Sequence, residues 1–279
     1  IHKYNFWEYI LFPPVSLNRK KLDLHLTGKT IFITGASYGI GEALSRLLAG
    51  LDLHLILTAR TEEKLVLLKS KIERQGTRVT IFPCNLYNLD ECTRLIRFLK
   101  EFPGGIDIFV SNAGKSIRRS LFDSLDRFHD FQRTMSLNYF TPVQLCLNLI
   151  PILQKNKGHI ISVSAVNVLL APTPYWAAYQ ASKSAFDQWF CCIVPELNIS
   201  GIKTTSIYLP LVKTRMIEPT SIYHNTPAMK PEQAAMIIAK SILTQKHNYK
   251  PWWLFPCQLI SLTGNELWRK ITTFYLKRK

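Results

Sequence analysis

From Leu26 to Thr244 the chain alternates short β-forming runs with longer stretches of helical periodicity, a rhythm that few folds accept. Thr30 to Thr34 is followed by Gly39 to Gly50, Leu53 to Thr58 by Glu62 to Gln75, and Val79 to Phe82 by Leu89 to Phe102. Asp107 to Ser111 then leads into a long helical stretch ending near Lys155, His159 to Val163 into a helix from about Tyr175 to Leu197, and Lys203 to Ile207 into Pro231 to Thr244. Strict alternation demands a parallel sheet covered on both faces, because each parallel connection must cross over through a helix. Gly76 suits a left-handed helix cap, Gly104-Gly105 a turn, and Pro231 a first helical turn. The expectation is one doubly wound α/β domain over 26–246. An aromatic and basic extension at 1–25 precedes it, and an aromatic and basic segment at 247–279 follows.

Thr34-Gly35-Ala36-Ser37-Tyr38-Gly39-Ile40-Gly41 follows the first apolar strand and opens the first helix of the alternation. Glycines there let the backbone turn tightly, and the unpaired N–H groups of the helix N-terminus attract a diphosphate, as in a Rossmann-type fold. Gly35, Ser37, Tyr38, Gly39, Ile40 and Gly41 are therefore candidate dinucleotide-binding residues. The second strand ends Leu57-Thr58-Ala59-Arg60, where an acid would accept ribose hydroxyls and a base would meet a 2′-phosphate. Ala59 is no acid and Arg60 can pair with phosphate as a fork, so NADPH is the expected cofactor.

Tyr179-Gln180-Ala181-Ser182-Lys183 starts a helix whose i, i+4 spacing puts the phenol and the ammonium on one face. A phenol needs such a neighbour before it can move protons near neutral pH. With the glycine loop, Asn112-Ala113-Gly114 after the fourth strand, and Asn138 in the long helix, this resembles the short-chain dehydrogenase/reductase family over about Leu26 to Leu243. The resemblance implies that Tyr179 donates a proton to the reduced carbonyl and that Lys183 lowers its pKa while touching the nicotinamide ribose. It further implies that Asn138 holds the relay water and that Asn112, Ala113 and Gly114 line the cofactor. Asn85, Leu86, Val212 and Thr214 complete the expected cofactor set, with Asn85 standing where the family often has an Asp.

The family also places a serine after the fifth strand, commonly thirteen residues before the tyrosine. Here the stretch reads Ser162-Val163-Ser164-Ala165-Val166, and counting back lands on Val166. With one extra loop residue the usual Ser-Ser pair falls on Ser164-Ala165, which leaves two readings open: Ser164 serves by a shift in register, or the oxyanion lacks that donor. Ser164 is taken as the catalytic candidate, since losing an oxyanion donor costs ~2.7–4 kcal/mol.

Asn112 to Arg119, Phe128 to Phe131, Leu137 to Phe140 and Ser206 to Ile217, with Pro219-Thr220, are similar to the bacterial long-chain fatty acyl-CoA reductases of this family. That resemblance implies a lipid or acyl-CoA substrate, with Lys115, Arg118 and Arg119 as a basic rim above an apolar channel near Ile217. The competing readings are a reductase of a 3-keto lipid of the sphingoid or steroid kind, and a non-catalytic NADP-binding protein. The resemblance also implies a homodimer or homotetramer.

Lys and Arg outnumber Asp and Glu by 35 to 19, so the surface attracts phosphates, anionic lipid or nucleic acid. No module that reads nucleic acid is recognisable, so nucleic acid is not the expected partner. The six cysteines show no metal-binding or disulfide framework, which points to a reducing cytoplasmic compartment. His129 and His159 have no carboxylates at ligand spacing, and no metal is expected. No run reaches the roughly 18 apolar residues of a membrane span, and Ile1 to Leu17 carries no secretory pattern. Both ends nevertheless crowd aromatics, and from Lys246 onward seven Lys or Arg face one acid, Glu266. That mixture suits peripheral contact with an anionic membrane surface on its cytoplasmic face, or packing against the core or a subunit interface.

Overall fold

A computed structural model of the protein describes residues 4–223 and 225–277. Helices α1 (Phe6–Leu11) and α2 (Arg19–Leu26) precede β1 (Thr30–Thr34), α3 (Gly39–Leu47), β2 (His54–Ala59), α4 (Glu62–Glu73), β3 (Arg78–Pro83), α5 (Leu89–Glu101) and β4 (Ile108–Ser111). After a long loop come α6 (Phe128–Met135), α7 (Thr141–Lys155), β5 (His159–Ala165), α8 (Ala177–Ile199) and β6 (Lys203–Leu209). Helix α9 (Pro231–Thr244), β7 (Asn248–Tyr249), α10 (Leu254–Thr263) and α11 (Asn265–Lys277) close the chain. The seven strands form one parallel sheet in the order β3-β2-β1-β4-β5-β6-β7. The direction of winding reverses between β1 and β4, which opens a crevice at their carboxyl ends.

Burial explains why the strands read as continuous apolar runs. On β1 every residue is buried: Ile31 and Ile33 pack with α3, α4 and α9, while Phe32 faces the opposite layer and stacks on Phe109 of β4 at 5.2 Å. The single α/β domain and its doubly wound sheet are as the alternation requires.

Three boundaries differ from expectation. The long helix before Lys155 is interrupted at Ser136–Phe140 by a π turn, closed by the Thr141 N–H donating to the Ser136 carbonyl. Pro142 has no N–H to offer the Asn138 carbonyl four residues back, so the α-helical bond cannot form there. Strand β7 lies just past 246, so the terminal segment begins inside the sheet. Two residues are too few to show strand periodicity. The N-terminal extension also joins the core: Phe12 and Leu22 are buried, the Tyr4 hydroxyl bonds Gln233 of α9, and buried Glu8 pairs with Lys213.

Candidate active site

The glycine loop at the end of β1 is a cradle that side chains would fill. Gly35 and Gly39 hold φ of +68° and +58°, and a Cβ on Gly41 would stand 2.4 Å from the Gly35 carbonyl oxygen. A Cβ on Gly39 would stand 2.8 Å from Thr214 Cγ2, so the segment after β6 lies against this loop. The N-cap of α3 is Tyr38, which makes no side-chain capping bond, so no side chain competes there for the first N–H groups of the helix. A tight backbone, close room and an uncapped helix start fit a dinucleotide diphosphate. The Asn112 carboxamide donates to the Thr34 and Gly35 carbonyls at 2.9 and 3.3 Å and so clips β4 to the glycine loop.

Gly114, Asn138 and Lys183 meet at the next turn. A Cβ on Gly114 would stand 3.2 Å from Asn138 Oδ1 and 3.4 Å from Lys183 Nζ. The buried Asn138 side chain accepts from the Lys115 N–H and donates to the Lys115 carbonyl, both at 2.9 Å. Its amide also donates to Ser182 Oγ at 2.9 Å, and that hydroxyl donates to the Tyr179 carbonyl at 2.8 Å. Thus the Asn138 side chain is consumed in fixing the loop and α8. Its backbone carbonyl has no α-helical donor, because Pro142 four residues on lacks an N–H. The spacing Asn138-x-x-x-Pro142 signalled this in the sequence, as Ser182 between Tyr179 and Lys183 signalled the brace.

Around Tyr179 the phenol is desolvated, and burial pushes its pKa above the ordinary value, with Tyr223 adding to the rise. It is therefore a proton holder. Trp176 packs edge-on to Tyr179 at 5.9 Å and stacks on Tyr223 at 5.6 Å, roofing the phenol with aromatic surface that no spacing in the sequence signals. Burial lowers Lys183 to about 8, partly opposed by Asp187 one turn on. Its ammonium donates to the Val163 carbonyl at 3.1 Å.

Ser164, the candidate by a shift in register, lies on β5 beside α8. Ser164 pairs with Tyr208 across β5 and β6, and the Tyr208 hydroxyl donates to Asp187 Oδ2 at 3.4 Å. Ser164 Oγ and Asp187 Oδ1 are buried near one another without a completed hydrogen bond. Asp187 is eight residues beyond Tyr179 on α8, roughly 12 Å along the axis, so this hydroxyl belongs to the floor beneath Lys183. Ala165 ends the strand and brings no hydroxyl.

Toward the far end of the crevice, exposed Arg60 and Arg133 each lie 5.9 Å from the ring of Tyr87. Burial and the charges of Arg133 and Arg60 lower the Lys115 pKa, so three cations converge there. Asn85 accepts from the Tyr87 N–H at 3.3 Å, and the Leu86 carbonyl accepts from Thr141 Oγ1 at 2.8 Å. Val212 is buried and bridges to Met229. The rim expected from Lys115, Arg118 and Arg119 is reduced, because Arg119 pairs with Asp130 at 3.2 Å and Arg118 covers the Tyr175 ring at 4.7 Å.

A family model described as short chain dehydrogenase matches residues 29–223. The chain belongs to the short-chain dehydrogenase family. It is a nicotinamide-dependent oxidoreductase, and its crevice has the geometry for that cofactor. A fatty acyl-CoA reductase of Acinetobacter baylyi is 44% identical over 220 residues, covering 78% of this chain and 74% of that one. A fatty acyl-CoA reductase of Mycobacterium tuberculosis is 38% identical over 229 residues, covering 80% and 78%. Among solved structures, a short-chain dehydrogenase from Sphingobium yanoikuyae in complex with NADPH superposes with a TM-score of 0.75 at 21% identity, covering 86% of this chain and 94% of that one.

Proposed function

We propose that this short-chain dehydrogenase is an NADPH-dependent reductase of long-chain acyl-CoA thioesters, releasing fatty aldehyde. The observation that carries the reading is the pair of relatives named fatty acyl-CoA reductases, each matched over about four-fifths of this chain. Arg60 with Lys115 and Arg133 supports NADPH over NADH, because guanidinium and ammonium groups grip a 2′-phosphate.

When bound, the reduced nicotinamide supplies the hydride. The remaining work falls to side chains of this chain. Tyr179, held protonated by burial, donates its proton to the thioester oxygen as the carbonyl carbon becomes tetrahedral. The resulting hemithioacetal expels the thiol and leaves the aldehyde. Lys183, as ammonium, stabilises the phenolate left behind, and the Asn138 carbonyl holds the water through which the phenol is reprotonated. Ala165 offers no second donor, so Tyr179 carries the oxyanion without a serine. The six unpaired cysteines fit a reducing cytoplasmic compartment. A homo-oligomer and contact with an anionic membrane surface, where long acyl chains partition, complete the reading.

Incubation with NADPH and palmitoyl-CoA, with product identification, tests it. Aldehyde with free CoA is expected, and Tyr179→Phe is expected to lower turnover by about 10²–10⁴-fold while leaving NADPH binding intact. Alcohol formed from a 3-keto lipid, with palmitoyl-CoA inert, would favour the ketone-reductase reading. A hydroxysteroid 11-beta-dehydrogenase 1-like protein of Gallus gallus supports that alternative, at 30% identity over 83% of this chain and 81% of that one. Cofactor binding without turnover on either substrate would leave a non-catalytic NADP-binding protein, the reading that Ala165 motivates.

A further inference from the structure

Helices α10 and α11 are composed for burial yet stand in solvent. Of their residues only Leu254 is buried, while Phe255, Ile260, Leu262, Leu267 and Ile271 are exposed. On α11, Leu267 and Ile271 share one face at i, i+4, Lys270 and Lys277 flank that stripe along one edge, and Arg269 falls on the opposite side. Among the described residues from Lys246 on, the only acid is Glu266. No helix of the described residues is long and apolar enough to cross a membrane.

The pair is fixed to the body of the protein at two places. The Trp252 and Trp253 indoles donate to the Ile10 and Leu11 carbonyls at 3.0 and 3.2 Å, which brings exposed Phe6 and Trp7 of α1 into the same region. The Trp268 indole donates to the Pro172 carbonyl at 2.8 Å, and Ser261 Oγ accepts from the Ala171 N–H at 3.2 Å. Ala171 and Pro172 belong to the loop that leads into α8 and Tyr179, and Gln180 ties that loop back to the Asn167 carbonyl at 2.6 Å. The apolar helices therefore rest on the doorway of the catalytic crevice.

We propose that α10 and α11, with the outer face of α1, lie in the headgroup region of an anionic bilayer and present the Tyr179 crevice to lipid chains. Apolar side chains flanked by Lys and Arg, with tryptophans at the boundary, match an interfacial helix on anionic lipid. A second copy fits less well, because it would set the cations of α11 against themselves with one carboxylate to offset them, whereas anionic lipid turns each into an attraction. The inference deepens the acyl-CoA reading, which supplies the reason for lipid access, but its test is separate from catalysis.

Full-length protein is sedimented with vesicles of phosphatidylcholine alone and of phosphatidylcholine with phosphatidylglycerol. Preferential binding to the anionic vesicles, weakened by salt, is expected. Leu267→Glu with Ile271→Glu is expected to weaken it by about tenfold or more, with thermal stability, NADPH binding and turnover of a short, water-soluble acyl thioester retained. Equal binding by that variant, or no preference for anionic vesicles, would overturn the proposal. So would a dimer in solution that the same variant dissolves, since a second copy would then cover the face. Vesicle binding without reduction of any acyl thioester would sink the substrate reading and leave this one standing.

Discussion

Two side chains under and beside the crevice decide how the chemistry is tuned. On the proposed mechanism Ala165 takes the position of the oxyanion-binding hydroxyl, while Ser164 pairs with Tyr208 beside Asp187. Ala165→Ser is therefore expected to raise kcat, because a single oxyanion donor is worth about 10²–10³-fold in rate, while Ser164→Ala changes kcat little; steady-state kinetics of both variants checks the pair. The proposed mechanism needs Lys183 as the ammonium, and burial brings it down to about 8, so kcat/KM should fall as pH rises through that value. The Asp187 charge raises the Lys183 pKa. Asp187→Asn should accordingly move the alkaline limb to lower pH, and an unmoved limb in the pH profile would show that Lys183 does not set it.

At the level of elements, the glycine loop, the π turn and the terminal helices each do one task. A methyl group on Gly41 would collide with backbone, the Gly35 carbonyl, which cannot swing aside as a side-chain tip can. Gly41→Ala is expected to destabilise the fold by about 1–3 kcal/mol and to weaken NADPH binding, read by thermal melting and fluorescence titration. Pro142, just past the π turn, denies the Asn138 carbonyl its α-helical donor, while the Asn138 side chain clamps Lys115 and Ser182. Glu8 of α1 reaches Lys213 and the Ala228 N–H, so the N-terminal helix braces both ends of the segment that lies against the glycine loop.

Across the whole molecule, two apolar layers sandwich the sheet, and the polar groups shut inside them govern its response to acid. His159 on β5 is buried, its Nε2 lies 2.8 Å from Thr205 Oγ1, and burial lowers its pKa to about 3. The unfolded chain binds this proton near pH 6.5 and the folded one does not. Stability is thus full above about 6.5 and is lost as pH falls toward about 3, by about 2 kcal/mol at pH 5 from this group alone. Melting temperature against pH should show that loss, and His159→Gln should flatten it.

The periodicity of strands and helices, the glycines that alone tolerate the β1 to α3 turn, and the Tyr179–Lys183 spacing are local properties, so the sequence by itself determined the doubly wound sheet and where its crevice opens. Other features depended on which backbone faces which. Strand pairing placed Ser164 opposite Tyr208 and turned it to Asp187, a hydrogen-bond web took the Asn138 carboxamide, and Asp130 claimed Arg119. Strand β7 was too short to signal itself, and the aromatics of the two ends were sorted only by packing: Tyr4 and Phe12 inward, Phe6 and Trp7 outward. A side chain's type is written in the chain, but its partner is chosen by contacts between residues distant in sequence, and those arise only when the layers close.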